Sequence, residues 1–240
     1  MHIEDIPYQA DGTNMLGYLA FDDQQPGKRP AVLVSHEGSG LDRHAKEAAE
    51  RLAALGYIAF ALDYFGNGQR LPLEQAQERL LALTADSQRT ARIARAGLDV
   101  LLAQDAADAG RAAAIGYCFG GVVSLELART GADLKAVVGF HPGFTTPRPA
   151  DSVNIRASVL MCCGTEDPFA APEQRLAFEA EMRQAGVADW RLELYGGVKH
   201  SFTNPAADQF GMPGFGYDAQ ADRQSWSSML ELFRAVLGPL

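Results

Sequence analysis

RAAAIGYCFGGVVSLELA, residues 111–128, carries a short apolar run into a helix-like run through a joint where Gly116, Cys118, Gly120 and Gly121 crowd together. The pattern predicts a strand ending near Tyr117, a helix from about Gly120, and Cys118 on the sharp turn between them. In open parallel sheets the reactive groups gather just past the carboxyl ends of strands, so this turn is a place for chemistry. A nucleophile on such a strained turn needs small residues two before and two after it, and Gly116 and Gly120 meet that need. The following helix would aim its amide dipoles at the sulfur and favour thiolate, and the Phe119 N–H just after it could hold a developing oxyanion. The plain alternative is a small buried thiol at a glycine-tight helix start.

Outward from this joint, apolar runs alternate with helical patterns. RPAVLVSH (29–36), YIAFALDYFG (57–66), KAVVGFH (135–141), ASVLMCCG (157–164) and WRLELYGG (190–197) read as strands. DRHAKEAAERLAALG (42–56) reads as a helix opened by Asp42 and closed by Gly56, and PEQRLAFEAEMRQAG (172–186) as one closed by Gly186. PLEQAQERLLAL (72–83), DSQRTARIARAGLDVLLA (86–103) and DAQADRQSWSSMLELFRAVL (218–237) are further helical patterns. This alternation implies an α/β fold with a mostly parallel central sheet and helices on both faces, and NMLGYLAF (14–21) is expected as an antiparallel edge strand. With no repeat, low-complexity tract or long linker, residues 1–240 are expected to form one domain.

The formal net charge of -9 opposes a phosphate backbone as partner, because nucleic-acid binding relies on clustered Lys and Arg. The amino terminus lacks a basic region followed by an apolar core, and no apolar run reaches membrane-spanning length, so neither secretion nor a membrane is expected. Three cysteines, two of them adjacent at 162 and 163, give no disulfide framework or metal spacing, and fit a reducing cytoplasm.

A nucleophile at Cys118 needs a base and an orienting acid in later loops. Asp167 follows the strand 157–164 and His200 follows the strand 190–197, in the chain order nucleophile, acid, histidine. Glu166 is a rival acid, but Asp167 precedes Pro168, where the chain is held extended and turn-like, and is preferred. Of the other histidines, His2 is expected in a frayed end, His44 opens a helix, and His141 could line a pocket. They form no i, i+4 metal pair, and Cys162 and Cys163 sit in an apolar strand as core, so no metal is expected.

The motifs VLVSHEGSGL (32–41), AAIGYCFGG (113–121), CCGTEDPFAAP (162–172) and LYGGVKHSF (194–202) resemble the dienelactone hydrolase family of α/β hydrolases, over nearly the whole chain. The resemblance implies an α/β-hydrolase fold and a Cys118–Asp167–His200 triad that cleaves small esters or lactones through an acyl-cysteine, without cofactor. It also implies that Glu37 contacts the elbow thiol at rest and is displaced by substrate, and that the Gly38 and Phe119 amides form the oxyanion hole. Family members proper hold a substrate carboxylate with arginines. Here Asn204 stands four residues after the histidine, and Leu73 and Gln77 fall on the other clamp positions, so neutral substrates are expected unless Arg70, Arg79 or Arg148 takes over. A non-hydrolytic ligand-binding or thiol-sensing protein on the same scaffold is the alternative.

Overall fold

The computed structural model describes residues 1–240, whose order of elements is β1 (His2–Ala10), β2 (Thr13–Phe21), β3 (Arg29–Ser35), α1 (Arg43–Ala54), β4 (Ile58–Leu62), α2 (Leu73–Ala85), α3 (Ser87–Leu102), β5 (Ala107–Tyr117), α4 (Phe119–Arg129), β6 (Ala136–Phe140), β7 (Ser158–Gly164), α5 (Pro172–Ala185), β8 (Trp190–Tyr195) and α6 (Ala219–Leu237). Short 3₁₀ turns at Pro149–Asn154 and Ala207–Phe210 complete it. The strands form one sheet in the order β1-β2-β4-β3-β5-β6-β7-β8. β1 and β2 are antiparallel, and every pairing from β4 through β8 is parallel. This is the α/β-hydrolase fold.

The central strands read as unbroken apolar runs because both faces of the sheet are covered. Ala31, Leu33, Phe60, Ala114, Val137 and Val159 point to the side packed by α3, α4 and α5. Their neighbours Val32, Val34, Ala61, Ile115, Val138 and Leu160 point to the side packed by α1 and α6. Each fully buried Leu, Ile, Val or Phe contributes roughly 1.5–3 kcal/mol, so the sheet is stiff where strands end and chemistry begins.

Two expectations for the amino terminus are corrected. His2 does not fray: it opens β1, and its ring lies 4.8 Å from that of Phe21. β2 is therefore not the edge strand; β1 is. The hairpin turns on Asp11 and Gly12, at φ 48° and 73°, the left-handed pair that a two-residue type I′ turn requires.

Candidate active site

The nucleophile elbow is built by close backbone packing. Cys118 sits between β5 and α4 at φ 54° and ψ -119°, a conformation that costs a non-glycine residue on the order of 1–3 kcal/mol. Its N–H is held by two acceptors, the Phe140 carbonyl at 2.9 Å and His141 Nδ1 at 3.1 Å. A Cβ on Gly116 would stand 2.0 Å from the Gly120 carbonyl oxygen, and one on Gly120 would stand 2.2 Å from that of Ser35. No side chain fits at either position. The thiol is half-buried, at the amino end of a helix that is otherwise buried along its whole length. Phe119 opens that helix, so its N–H has no intrahelical acceptor. The Gly38 N–H, across the site, also lacks an acceptor within the protein.

His200 and Asp167 stand at the ends of β8 and β7, both buried, with Nδ1 2.7 Å from Asp167 Oδ2. That bond leaves the proton on Nδ1 and turns Nε2, which has no other partner, toward the thiol. Burial pushes the His200 pKa down, but the Cys118 sulfur and the Asp167 carboxylate outweigh it and raise it to about 10. The other Asp167 oxygen accepts the Phe169 N–H at 2.8 Å. Glu166 is exposed, so the acid the structure brings to the histidine is Asp167. Both backbone groups of His200 are taken by the strand-like segment 214–216, through Gly214 O at 2.8 Å and Gly216 N at 3.1 Å. The edges of Phe169 and Phe215 flank its ring at 4.9 and 4.8 Å, and Phe169 is still 47% exposed, giving the site an apolar rim.

Glu37 departs from expectation. Its carboxylate does not touch the thiol: Oε1 accepts from Ser201 Oγ at 2.9 Å, and Oε2 accepts from Asn204 Nδ2 at 2.5 Å. His44 Nδ1 lies 3.5 Å from Oε2, and His141 Nε2 lies 4.0 Å from Oε1. Burial works against the charge, yet these neighbours, His44 foremost, hold the carboxyl down at about 2. The Tyr64 hydroxyl reaches the His36 and Glu37 carbonyls at 2.7 and 2.9 Å, and the His36 ring stacks on Tyr64 at 3.6 Å, so the loop that presents Gly38 is pinned from below.

The carboxylate-clamp positions are resolved in the same way. Asn204 is buried against Glu37 and does not open to substrate, so an arginine there would meet Glu37 first, a correction to its reading as a vacated clamp. Leu73 and Gln77 are exposed on α2, and Arg148 is held by Ser87 and Asp151. His44 and His141, weak candidates on sequence grounds, prove to be wired into the site: His141 is buried at φ 41°, with Nε2 2.8 Å from Thr203 Oγ1. Only the position of His141 just past a strand hinted at this. Nothing in the sequence pointed to Ser201, Thr203 or Asn204 as partners of Glu37, His141 and His44.

The model of the family described as "Dienelactone hydrolase family" matches residues 15–237. The chain belongs to the dienelactone hydrolase family. Two solved structures share its fold closely: "m3DLH", at 44% identity and a TM-score of 0.94, and "Dienelactone Hydrolase-like Promiscuous Phospotriesterase P91 from Metagenomic Libraries", at 39% and 0.93, each aligned over 98% of both chains. Among curated proteins, a "Probable 2-oxo-3-(5-oxofuran-2-ylidene)propanoate lactonase" of Bradyrhizobium sp is 28% identical over 93% of this chain and 90% of its own length. Family membership makes this protein a hydrolase of ester or lactone bonds in small molecules, and sets aside a non-hydrolytic binding role. No helix is long and apolar enough to cross a membrane.

Proposed function

We propose that this family member hydrolyses small, neutral esters and lactones through an acyl-cysteine, with Cys118 as nucleophile, His200 as proton carrier, Asp167 as its orienting acid, and the Gly38 and Phe119 amides as oxyanion hole. The observation that carries the reading is the 2.7 Å bond from His200 Nδ1 to Asp167 Oδ2, which leaves Nε2 as the nitrogen that faces Cys118. His200 carries the Nε2 proton that faces the Cys118 sulfur at rest. The thiolate attacks the carbonyl carbon, and the oxygen that becomes negative is held by the two amides. Nε2 then gives its proton to the departing alkoxide as the C–O bond breaks. A water loses a proton to Nε2 and adds to the thioester, and collapse expels the thiolate and releases the acid.

Glu37 is held by Ser201, Asn204 and His44, not at the thiol where the resemblance puts it at rest, which leaves the thiol to His200. Neutral substrates are favoured because a buried substrate carboxylate needs a paired cation, and none is offered: Asn204 is buried on Glu37, Leu73 and Gln77 are exposed on α2, and Arg148 is held by Ser87 and Asp151. A neutral phosphotriester satisfies the same demands, which is the activity named for the P91 relative.

The test is turnover of 4-nitrophenyl acetate, dihydrocoumarin, paraoxon and a carboxylated dienelactone by wild type and Cys118→Ala. Wild type should turn over the neutral ester and lactone at least tenfold better, in kcat/KM, than the dienelactone, and Cys118→Ala should lose all of it. Equal rates for the two proteins, or a preference for the dienelactone, would contradict the reading.

A further inference from the structure

The buried histidines around the site differ in what each ring nitrogen faces, and those neighbours dictate charge. In His141, Nδ1 receives the Cys118 N–H at 3.1 Å, so it bears no proton and the ring is neutral, with its hydrogen on Nε2 beside Thr203 Oγ1. His44 is the opposite case. Its Nε2 lies 3.1 Å from the Thr203 carbonyl oxygen, which can only accept, so Nε2 carries a proton. Its Nδ1 lies 3.5 Å from Glu37 Oε2, where a bare lone pair would confront a carboxylate. A proton on Nδ1 as well, which makes the ring a cation, turns that confrontation into an ion pair.

We propose that His44 is the cationic counter-ion of Glu37, and acts as a positioning residue of the hydrolytic site by holding that carboxylate against the His200 loop and away from Cys118. This rests on the reading of Cys118 and His200 as the reacting pair. The remaining neighbours of Glu37 bring no charge: Ser201 and Asn204 supply hydrogen bonds, and the neutral His141 stands 4.0 Å away. Glu37 and His44 are 7% and 12% exposed, so the pair is poorly screened and neither charge has water to replace the other.

The ionisable groups packed around the pair come from several elements. Asp42, at the cap of α1, adds to the pull on the His44 proton; burial raises the Asp42 pKa, and Arg70 works against that rise. From β5 the Tyr117 ring lies 4.5 Å from that of His44, and from α6 Asp222 senses the same charge. Burial opposes protonation of His44, and the Glu37 and Asp42 carboxylates outweigh it and raise its pKa. When rising pH strips this proton, Glu37 is left buried without a cation, and the resting contacts of the His200 loop weaken.

Two measurements on the intact enzyme test this. In ¹⁵N spectra of the histidine rings at pH 7, His44, assigned by its ring-proton contacts to Tyr117, should have both nitrogens protonated, whereas His141 should have one. A singly protonated His44 overturns the proposal, whatever state His200 shows; loss of the charged form of His200 alone contradicts the Cys118–His200 pairing instead. His44→Gln keeps a donor for Thr203 but no charge. Its kcat/KM for a neutral ester should be about 5- to 20-fold below wild type at pH 7, and the two should converge as pH rises through the His44 ionisation. A gap that stays constant with pH marks a merely structural role and overturns the proposal. In a Glu37→Gln background the His44→Gln change should cost less than twofold, and an undiminished cost there counts against it equally.

Discussion

At the elbow, Cys118 is positioned by backbone against backbone: a Cβ at Gly120 would lie 2.2 Å from the Ser35 carbonyl oxygen and 2.5 Å from that of His36. Across the site, residues 200–204 are positioned by side chains: Ser201 and Asn204 on Glu37, and Thr203 on His141 and His44. The first arrangement is stiff, and its one titratable contact is His141 Nδ1, which accepts the Cys118 N–H. The second is a hydrogen-bonded network among titratable groups, so it responds to protonation and can be loosened one bond at a time. A hydrolase of this design keeps its nucleophile fixed and lets the surroundings of its histidine respond.

The largest effect should come from the stiff side. Gly120→Ala pushes a methyl into two carbonyl oxygens that no rotamer can move, so it should cost about 3 kcal/mol or more and abolish turnover. Thermal melting and ester hydrolysis check it, and a stable, active Gly120→Ala protein would break the distinction between the two regions. Next is Asp167→Asn, which should lower kcat by roughly 10²- to 10⁴-fold, on the model of serine triads, while leaving Tm within a few degrees. Glu166→Gln, at an exposed position, should leave kcat near wild type.

The network side sets the acid response. Burial depresses His36 to about 4 and drives His141 well below 6.5, so in the folded state both stay neutral at pH values where the unfolded chain takes up protons. Neither group affects stability above pH 6.5. As pH falls from there toward 4 each one destabilises the fold, His36 by about 3 kcal/mol in the limit. His44 and His200, with raised values, are protonated in both states once the pH is well below 6.5, and add no slope there. Unfolding near pH 5 should therefore take up about two protons, and His36→Asn should reduce that to about one, as read by urea denaturation across pH. A flat stability between pH 7 and 4.5 would contradict the neutral assignments. The smallest effect belongs to Thr203→Val, which strands the His141 Nε2–H and should cost about 1–3 kcal/mol in stability while changing the alkylation rate of Cys118 by less than about twofold.

The same contrast explains what the sequence made legible. The elbow could be read from Gly116, Cys118 and Gly120 because steric demands act between residues a few positions apart, and the unbroken apolar runs followed from a sheet covered on both faces. Asp167 and His200 could be read because strand ends place them. β1 went unread although Asp11-Gly12 is a hairpin signal, since its exposed face mixes Ile3 and Pro7 with Asp5 and Gln9 and shows no clean alternation of apolar and polar residues. The Glu37 network was illegible for a different reason: its bonds join residues as far apart as 37 and 204, and side-chain pairing across that distance leaves no local pattern.

The central claim is tested most directly by trapping the intermediate. Intact and peptide mass spectrometry of wild-type enzyme quenched during turnover of a slow ester should find the acyl group on Cys118 and none on Cys162 or Cys163, which lie buried within β7. Turnover that proceeds with no acyl mass on the Cys118 peptide, or with the label on either β7 cysteine, would contradict the account.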